Sequence, residues 1–169
     1  MKTLLLMRHA KSSWKDDNLE DHERPLKKRG RKDSKRIAKT LKANDLVPEL
    51  ILSSSAVRAK ETVSIMGDTL DYQGKINFSD EFYMGEPQDF INVLQTLSDD
   101  YKTVMIVAHN PGLEALMQIY HGEVETLPTA GLGYLILALD TWKDMSMSTM
   151  GDLIGLWKPK DLKEKEKKR

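Results

Sequence analysis

The sequence predicts an α/β fold, a three-layer αβα sandwich with a mostly parallel central sheet. Two observations support this prediction. Short, nearly continuous apolar runs recur along the chain, and segments with helical apolar spacing lie between them. Such runs are typical of strands buried on both faces. The alternation of strand and helix favours a parallel sheet that helices cover on both sides.

The strands and helices can be placed in order along the chain. Apolar runs predict strands over Thr3–Met7, Leu50–Leu52, Thr103–Ala108 and Tyr134–Leu139, and shorter runs predict two more over Lys75–Phe78 and Asp152–Trp157. A narrow apolar stripe predicts a first helix from Leu26 to Leu41, and similar spacing predicts helices over Ala56–Leu70, Pro87–Leu97 and Leu113–Tyr120.

The chain is predicted to form one domain with a charged end. No long repeat and no linker rich in Pro, Gly or Ser divides residues 1–160, whereas nearly all of residues 161–169 are charged. We expect those last residues to form a disordered, solvated tail. The apolar stretch Leu4–Met7 is too short for a signal peptide, and no segment has the length of a membrane span. We therefore expect a cytoplasmic protein that does not bind a membrane.

Composition excludes several classes of function. The 26 Lys and Arg balance the 26 Asp and Glu, which argues against a nucleic-acid partner, and the absence of Cys excludes disulfides, thiolate metal sites and cysteine nucleophiles. Charge is uneven locally, because residues 24–42 contain ten basic residues and one acid, Asp33. This segment is either a solvated helix face or a landing surface for an acidic partner.

Residues able to bind a phosphoryl group follow three of the predicted strands. Arg8 and His9 follow the first strand, Arg58 lies in the first turn of the helix after the second, and His109 follows the strand ending at Ala108. Open α/β sheets bind ligands at the carboxyl ends of their strands, and helix N-termini favour anions. The alternative for Arg58 is a surface pair with Glu61 along its helix.

This set of residues does not require a metal or another cofactor. The sequence has no HExxH motif, no Cys and no cluster of carboxylates typical of metal hydrolases. Two His and two Arg at one sheet edge instead describe a site for a dianionic phosphoryl group, with an imidazole as the nucleophile.

Four motifs in this order resemble the SixA-type phosphohistidine phosphatases of the histidine phosphatase, or phosphoglycerate-mutase-like, superfamily. The motifs are Leu6-Met-Arg-His-Ala-Lys-Ser-Ser-Trp14, Asp21-x-x-Arg24-Pro-Leu26 with Gly30, Arg58-Ala-x-x-Thr62 and Val107-Ala-His-Asn-Pro-Gly112. The resemblance spans residues 3–140 and implies a phosphoglycerate-mutase-like fold. It also implies removal of phosphoryl groups from phosphohistidine in proteins, through a phosphorylated enzyme histidine and without a metal.

The resemblance assigns roles to particular residues. His9 matches the phosphorylated nucleophile, and Arg8, Arg58 and His109 match the phosphate-binding set. Glu81 lies where the superfamily often has its acid, with Asp80 and Glu86 as alternatives, and Arg24 is a further contact at the rim. The chain departs from the pattern at Lys27, where a helix-capping Thr is common, and at Glu61, which could compete with phosphate for Arg58.

Three functions remain open at this stage. The leading one is a metal-independent phosphatase whose partner is a phosphorylated protein bearing phosphohistidine, because no long insertion able to form a lid is evident after Arg58 or His109. The second is a small-molecule phosphomonoesterase with the same chemistry. The third is a non-catalytic module that binds phosphoproteins.

Overall fold

A six-stranded sheet forms the centre of the computed structural model, which describes residues 1–168. The strand order is β3-β2-β4-β1-β5-β6. β1, β2, β3 and β4 are mutually parallel, whereas β5 runs antiparallel to both of its neighbours. The strands are β1 (Lys2–Arg8), β2 (Leu50–Ser54), β3 (Lys75–Ser79), β4 (Thr103–Ala108), β5 (Leu132–Leu137) and β6 (Gly151–Trp157).

Helices cover both faces of this sheet. The helices are α1 (Lys28–Ala43), α2 (Val57–Leu70), α3 (Pro87–Leu94), α4 (Gly112–His121) and α5 (Pro159–Lys167). One core lies between the sheet and α3 with α4, and the other lies between the sheet and α1 with α2. The predicted αβα sandwich with a mostly parallel sheet is therefore confirmed. Among residues 1–168, no helix combines the length and the apolarity that crossing a membrane requires.

Alternation along the central strands explains why there are two cores. On β1, Leu4 and Leu6 belong to the core under α3 and α4, whereas Leu5 and Met7 belong to the core under α1 and α2. Successive side chains of a strand point to opposite faces of a sheet. All four side chains are fully buried. Burial on both faces is the physical origin of the continuous apolar run in the sequence.

The strand order brings the chemically important segments together. β2, β4 and β1 are adjacent and parallel, and the pairing places Ser53 beside Val107 and Arg8 beside Ala108. Their carboxyl ends therefore meet at one edge of the sheet. The loops that follow these strands contain His9 and His109 and lead into α2 with Arg58.

Residues 161–167 differ from the sequence prediction, because they belong to α5 rather than to a disordered tail, and Lys168 caps the end of this helix. Leu162 packs against the core under α1, and the Arg36 guanidinium of α1 lies 3.1 Å from Glu166. Periodicity did not reveal this helix because only one of its side chains is apolar and half-buried. Arg169, the last residue of the predicted tail, lies outside the described residues.

β5 begins and ends two residues before its predicted bounds. A side chain on Gly133 would place its Cβ 2.9 Å from the Met117 sulfur of α4. A Cβ there would displace the flexible Met117 side chain, and Gly133 interrupts the apolar run from which the strand was predicted. α3 is also shorter than predicted and ends at Leu94.

Candidate active site

A cavity of about 720 Å³ opens at the carboxyl edge of the sheet. It is lined by side chains from the loops after β1 and β4, from the first turn of α2 and from the segment that precedes α3. Five residues predicted from the sequence line this cavity, namely Arg8, His9, Arg24, Arg58 and His109. All of these except Arg8 are buried. The sheet topology thus brings them together as predicted.

A hydrogen bond to the backbone fixes the imidazole of His9 through its Nδ1 atom. Its Nδ1 lies 2.7 Å from the carbonyl oxygen of Ala10, so Nδ1 carries the proton that it donates to this acceptor. The Nε2 lone pair is then unprotonated. Burial, and after it the nearby cations Arg58, Arg8 and Arg24, lower the pKa of His9 to about 4. At neutral pH this imidazole is uncharged.

His109 lies beside His9, with 5.0 Å between the ring centroids. Its Nε2 is 2.8 Å from the Ser54 hydroxyl at the end of β2, and its Nδ1 is 3.5 Å from an Arg58 nitrogen. Since a guanidinium can only donate, Nδ1 accepts and Nε2 carries the proton. Burial, followed by the proximity of His9 and Arg58, lowers the pKa of His109 to about 3. The ring is therefore neutral and orientated by two contacts.

Arg8 presents a guanidinium with unused donors. Its one hydrogen bond to the protein is a 3.4 Å contact from Nη1 to the Leu127 carbonyl, and its Nε is buried with no acceptor among residues 1–168. The Nε of Arg58 is also buried and has no acceptor there. Buried donors without partners are costly and mark sites that await an acceptor. Two such arginines beside two neutral imidazoles point to an anionic ligand.

Arg58 is held by Asp21 rather than by Glu61. Its Nη1 donates to the Asp21 carbonyl at 2.6 Å, and its Nη2 donates to the Asp21 carboxylate at 3.0 Å. Glu61 instead accepts from the Leu26 amide at 2.9 Å and from Arg31 at 3.3 Å. The alternative of an Arg58–Glu61 surface pair, and the competition of Glu61 with phosphate, are therefore both wrong.

Asp21 and Tyr83 are site residues to which the sequence analysis gave no role. The Tyr83 hydroxyl donates to the Asp21 carboxylate, and the Tyr83 ring meets His109 edge-on at 5.5 Å between centroids. This hydrogen bond and those from Arg58 and Arg24 hold the pKa of Asp21 well below its ordinary value. Burial and the bond to Asp21 raise the pKa of Tyr83. The motif Asp21-x-x-Arg24-Pro-Leu26 contains Asp21, and this motif is the sequence feature that could have indicated its role.

Arg24 lines the cavity beside Trp14. Its Nη1 donates to Ser12 at 2.8 Å and its Nε donates to Asp21 at 3.0 Å. The guanidinium lies 3.4 Å from the ring centroid of Trp14, which remains 67% exposed at the cavity mouth. A guanidinium stacked on an indole is fixed in orientation and remains positively charged.

Glu81 is not brought into the cavity. It lies in a 3-10 helix (Asp80–Phe82), is exposed, and is absent from the cavity lining, as is Asp80. The short helix buries Phe82 in the core, which turns Glu81 to solvent, and the chain then places Tyr83 in the lining. Glu86, the other alternative acid, does line the cavity, where it also caps α3. The expectation that Glu81 is part of the site is therefore wrong.

The arrangement suits a dianionic tetrahedral group. Guanidinium groups from Arg8 and Arg58 and the neutral imidazoles of His9 and His109 line one space. Within residues 1–168, one group of three side chains could hold a metal ion, namely His121, Glu123 and Glu125 at the end of α4. None of the three lines the cavity. The cavity lining thus offers imidazole and guanidinium groups together with the carboxylates of Asp21 and Glu86.

Comparison with known proteins identifies the class. The sequence profile of the histidine phosphatase superfamily (branch 1) matches residues 4–82. An uncharacterized chloroplastic protein of Arabidopsis thaliana is 33% identical over 152 residues, which make up 85% of this chain and 70% of that protein. The chain belongs to the histidine phosphatase superfamily, and the resemblance stated from the sequence is confirmed.

Solved structures agree in fold over nearly the whole chain. A structure from Agrobacterium tumefaciens, proposed as the phosphohistidine phosphatase SixA, superposes with a TM-score of 0.80 at 26% identity and covers 94% of this chain and 98% of its own. The protein histidine phosphatase SixA complexed with tungstate gives 0.81 at 23% identity, with 95% and 99% covered. A mycobacterial glucosyl-3-phosphoglycerate phosphatase complexed with VO3 gives 0.69 at 15% identity, with 93% and 99% covered.

Proposed function

We propose that this protein is a phosphatase that removes the phosphoryl group from phosphohistidine in proteins, through a phosphorylated His9. The observation that carries the proposal is the pair of guanidinium groups, each with a buried Nε that has no acceptor among residues 1–168, beside a neutral imidazole whose Nε2 is unprotonated. The family assignment and the fold similarity to SixA proteins support it.

In the first step, the Nε2 lone pair of His9 forms a bond to phosphorus while the bond from phosphorus to the leaving atom breaks. The leaving atom keeps the bonding electron pair. Negative charge spreads over three equatorial oxygens in the loose transition state of phosphoryl transfer. Arg8 and Arg58 donate to these oxygens, so their hydrogen bonds strengthen as the charge develops. The Nε2–H of His109 can join them by exchanging its hydrogen bond to Ser54 for one to a phosphoryl oxygen. The Nδ1–H bond to Ala10 stabilises the positive charge that His9 gains.

In the second step, water attacks phosphorus and the bond to His9 Nε2 breaks, which returns the neutral imidazole and releases orthophosphate. The same donors hold the phosphoryl group in both steps. Covalent catalysis of this kind divides one displacement into two, each with a competent leaving group. In both steps the positive charges of the arginine side chains balance the negative charge of the phosphoryl group.

The position of the candidate acids favours phosphohistidine as the substrate, because Glu86, which does line the cavity, is engaged in capping α3. An ester oxygen leaves poorly without a proton donor, whereas a substrate imidazole exchanges one N–P bond for another of similar strength. Glu81, expected to be that donor, faces solvent outside the cavity. The cavity mouth also exposes Trp14 (67%) and Met84 (82%), which leaves room for a protein surface to approach.

A substrate panel tests the proposal. Turnover is measured with a phosphohistidine protein, an aryl phosphate and a sugar phosphate, each with and without a chelator, for the wild type and His9→Ala. We expect the highest kcat/KM with phosphohistidine, no effect of the chelator and no turnover by the variant. A higher kcat/KM for the sugar phosphate would favour a small-molecule phosphomonoesterase, the activity that one structural neighbour is named for.

The panel also tests the third function considered from the sequence. A wild-type protein that binds vanadate but turns over none of the three substrates would be a phosphoprotein-binding module. The retained nucleophile geometry of His9 argues against that result, since binding alone does not require an unprotonated nitrogen directed at the anion.

A further inference from the structure

A second concave surface lies between the N-terminal halves of α1 and α5. We call it the α1/α5 groove, and its volume is about 620 Å³. Six basic side chains line it, and Asp33 is its single acidic lining residue. The six are Lys28, Arg29, Lys32 and Arg36 from α1 and Lys160 and Lys163 from α5. The uneven charge seen in the sequence is thus concentrated in one concavity by a helix that the sequence analysis missed.

The arginines and the lysines of the groove differ in their partners. Arg29 and Arg36 pair with Asp33, at 3.5 and 3.0 Å, and Arg36 also reaches Glu166. The four lysines form no ion pair with any of residues 1–168. The groove therefore combines two arginines paired with Asp33 and four lysines whose charges are available to a ligand.

Local helix chemistry increases this positive potential instead of reducing it. α1 begins at Lys28 with no acidic residue in its first turn and no side-chain cap from Lys27. Helix N-termini already carry partial positive charge, and acidic residues normally occupy them. Basic residues there are an unfavourable local choice, and such choices concentrate at functional surfaces. An anionic partner across the groove would compensate for the repulsion.

The groove and the catalytic cavity open at the same edge of the sheet. α1 begins directly after Lys27, whose amide donates to the Lys11 carbonyl at 2.9 Å, and Lys11 lines the catalytic cavity. α5 begins after β6, and Trp157 at the end of β6 pairs with Leu132, which in turn pairs with Met7 just before His9. One extended ligand can therefore contact both surfaces.

We propose that the α1/α5 groove docks an acidic segment of the protein substrate while its phosphohistidine enters the catalytic cavity. The inference rests on the proposed function and specifies its partner as a phosphoprotein with a cluster of Asp and Glu near the modified histidine. Flexible lysines around an open groove suit a polypeptide with several carboxylates. Arg36, whose fork geometry would suit a phosphate, is already held by Asp33 and Glu166, and Arg29 is paired with Asp33.

Matched peptides and matched variants test the docking surface. One phosphohistidine peptide is flanked on both sides by Glu, and a second of equal length has Gln at those positions. At an ionic strength of about 0.05 M, where screening is weak, we expect the wild type to prefer the acidic peptide by about tenfold in kcat/KM, through a lower KM. The preference should disappear at high salt.

The test variant is Lys28→Glu/Lys32→Glu. Acidic residues favour the beginning of a helix, so α1 should remain folded. We expect this variant to lose the preference for the acidic peptide and to keep wild-type kcat with the Gln peptide. The control, Lys35→Glu/Lys39→Glu, makes the same change of charge on exposed positions of the same helix outside the groove. It should keep most of the preference.

Any other result contradicts docking in the groove. Some of these results also contradict the proposed phosphohistidine phosphatase function, and others leave it intact. Equal turnover of both peptides by the wild type, or equal loss of the preference in both variants, contradicts docking in the groove and leaves the proposed function intact. Turnover of an aryl phosphate but of neither peptide contradicts both. If tripolyphosphate binds the wild type but not Lys28→Glu/Lys32→Glu, and the wild type shows no peptide preference, the groove is a small-anion site.

Discussion

The two buried histidines predict a steep dependence of stability on pH. His9 and His109 have pKa values of about 4 and about 3 in the folded protein. In the unfolded chain each returns to an ordinary pKa of about 6.5. Between these values the unfolded state binds more protons than the folded state does, so the free energy of unfolding rises with pH. The loss begins as pH falls below about 6.5 and levels off near the folded pKa values.

The size of the effect follows from linkage. At pH 5 an unfolded histidine is almost fully protonated and both folded ones are almost fully neutral, which costs about 2 kcal/mol for each residue relative to pH 7. The wild-type free energy of unfolding should therefore be on the order of 3 to 4 kcal/mol lower at pH 5 than at pH 7 from these two groups. Asp21, whose pKa is also depressed, contributes only at more acidic pH.

Urea denaturation at pH 5 and pH 7 measures this difference. The double variant His9→Gln/His109→Gln should lose most of the pH dependence, because glutamine does not titrate. His121→Gln, outside the cavity at the end of α4, serves as the control and should keep the wild-type slope. An unchanged slope in the double variant would refute the argument that the two cavity histidines are held neutral.

Three further predictions concern the site and its support. Arg58→Ala should abolish most of the rise in Tm that phosphate or vanadate produces in the wild type, because an anion that binds only the folded state stabilises it; an undiminished rise would remove Arg58 from the phosphate site. Glu81→Gln should keep kcat with a sugar phosphate, whose alkoxide leaves poorly without a proton donor, within about twofold, since a lost general acid typically costs a hundredfold or more, and a loss of that size would restore Glu81 as the acid. Gly30→Ala should lower the free energy of unfolding by about 1 to 3 kcal/mol, because its Cβ would lie 2.3 Å from the Lys11 carbonyl oxygen; urea denaturation matching the wild type would contradict that contact.

The sequence was sufficient for the elements that bury apolar stripes. β1 and β4 have apolar residues on both faces, and their bounds agree with the apolar runs within one residue. α5 was missed because its stabilisation comes from a half-buried Leu162 and an ion pair between Arg36 and Glu166. Contacts of this kind join distant parts of the chain and leave no periodic pattern to detect.

The residues of the site likewise divide into those that the sequence could place and those that depend on long-range packing. His9, His109 and Arg58 could be placed because each follows a strand, and parallel strands end at one edge. Tyr83 could not, since its approach to Asp21 depends on how a short helix packs Phe82 into the core. That packing also explains why Glu81, one residue earlier than Phe82, is directed to solvent and not to the cavity.

The central claim is that His9 forms a covalent bond to phosphorus during turnover. Rapid acid-free quenching of the wild-type protein with a radiolabelled phosphoryl donor, followed by peptide mapping, tests it directly. The account predicts an acid-labile and base-stable label on the peptide that contains His9, formed and consumed as fast as turnover, and no label on His9→Ala. Turnover by His9→Ala at the wild-type rate, or a kinetically competent label on another residue, would contradict it.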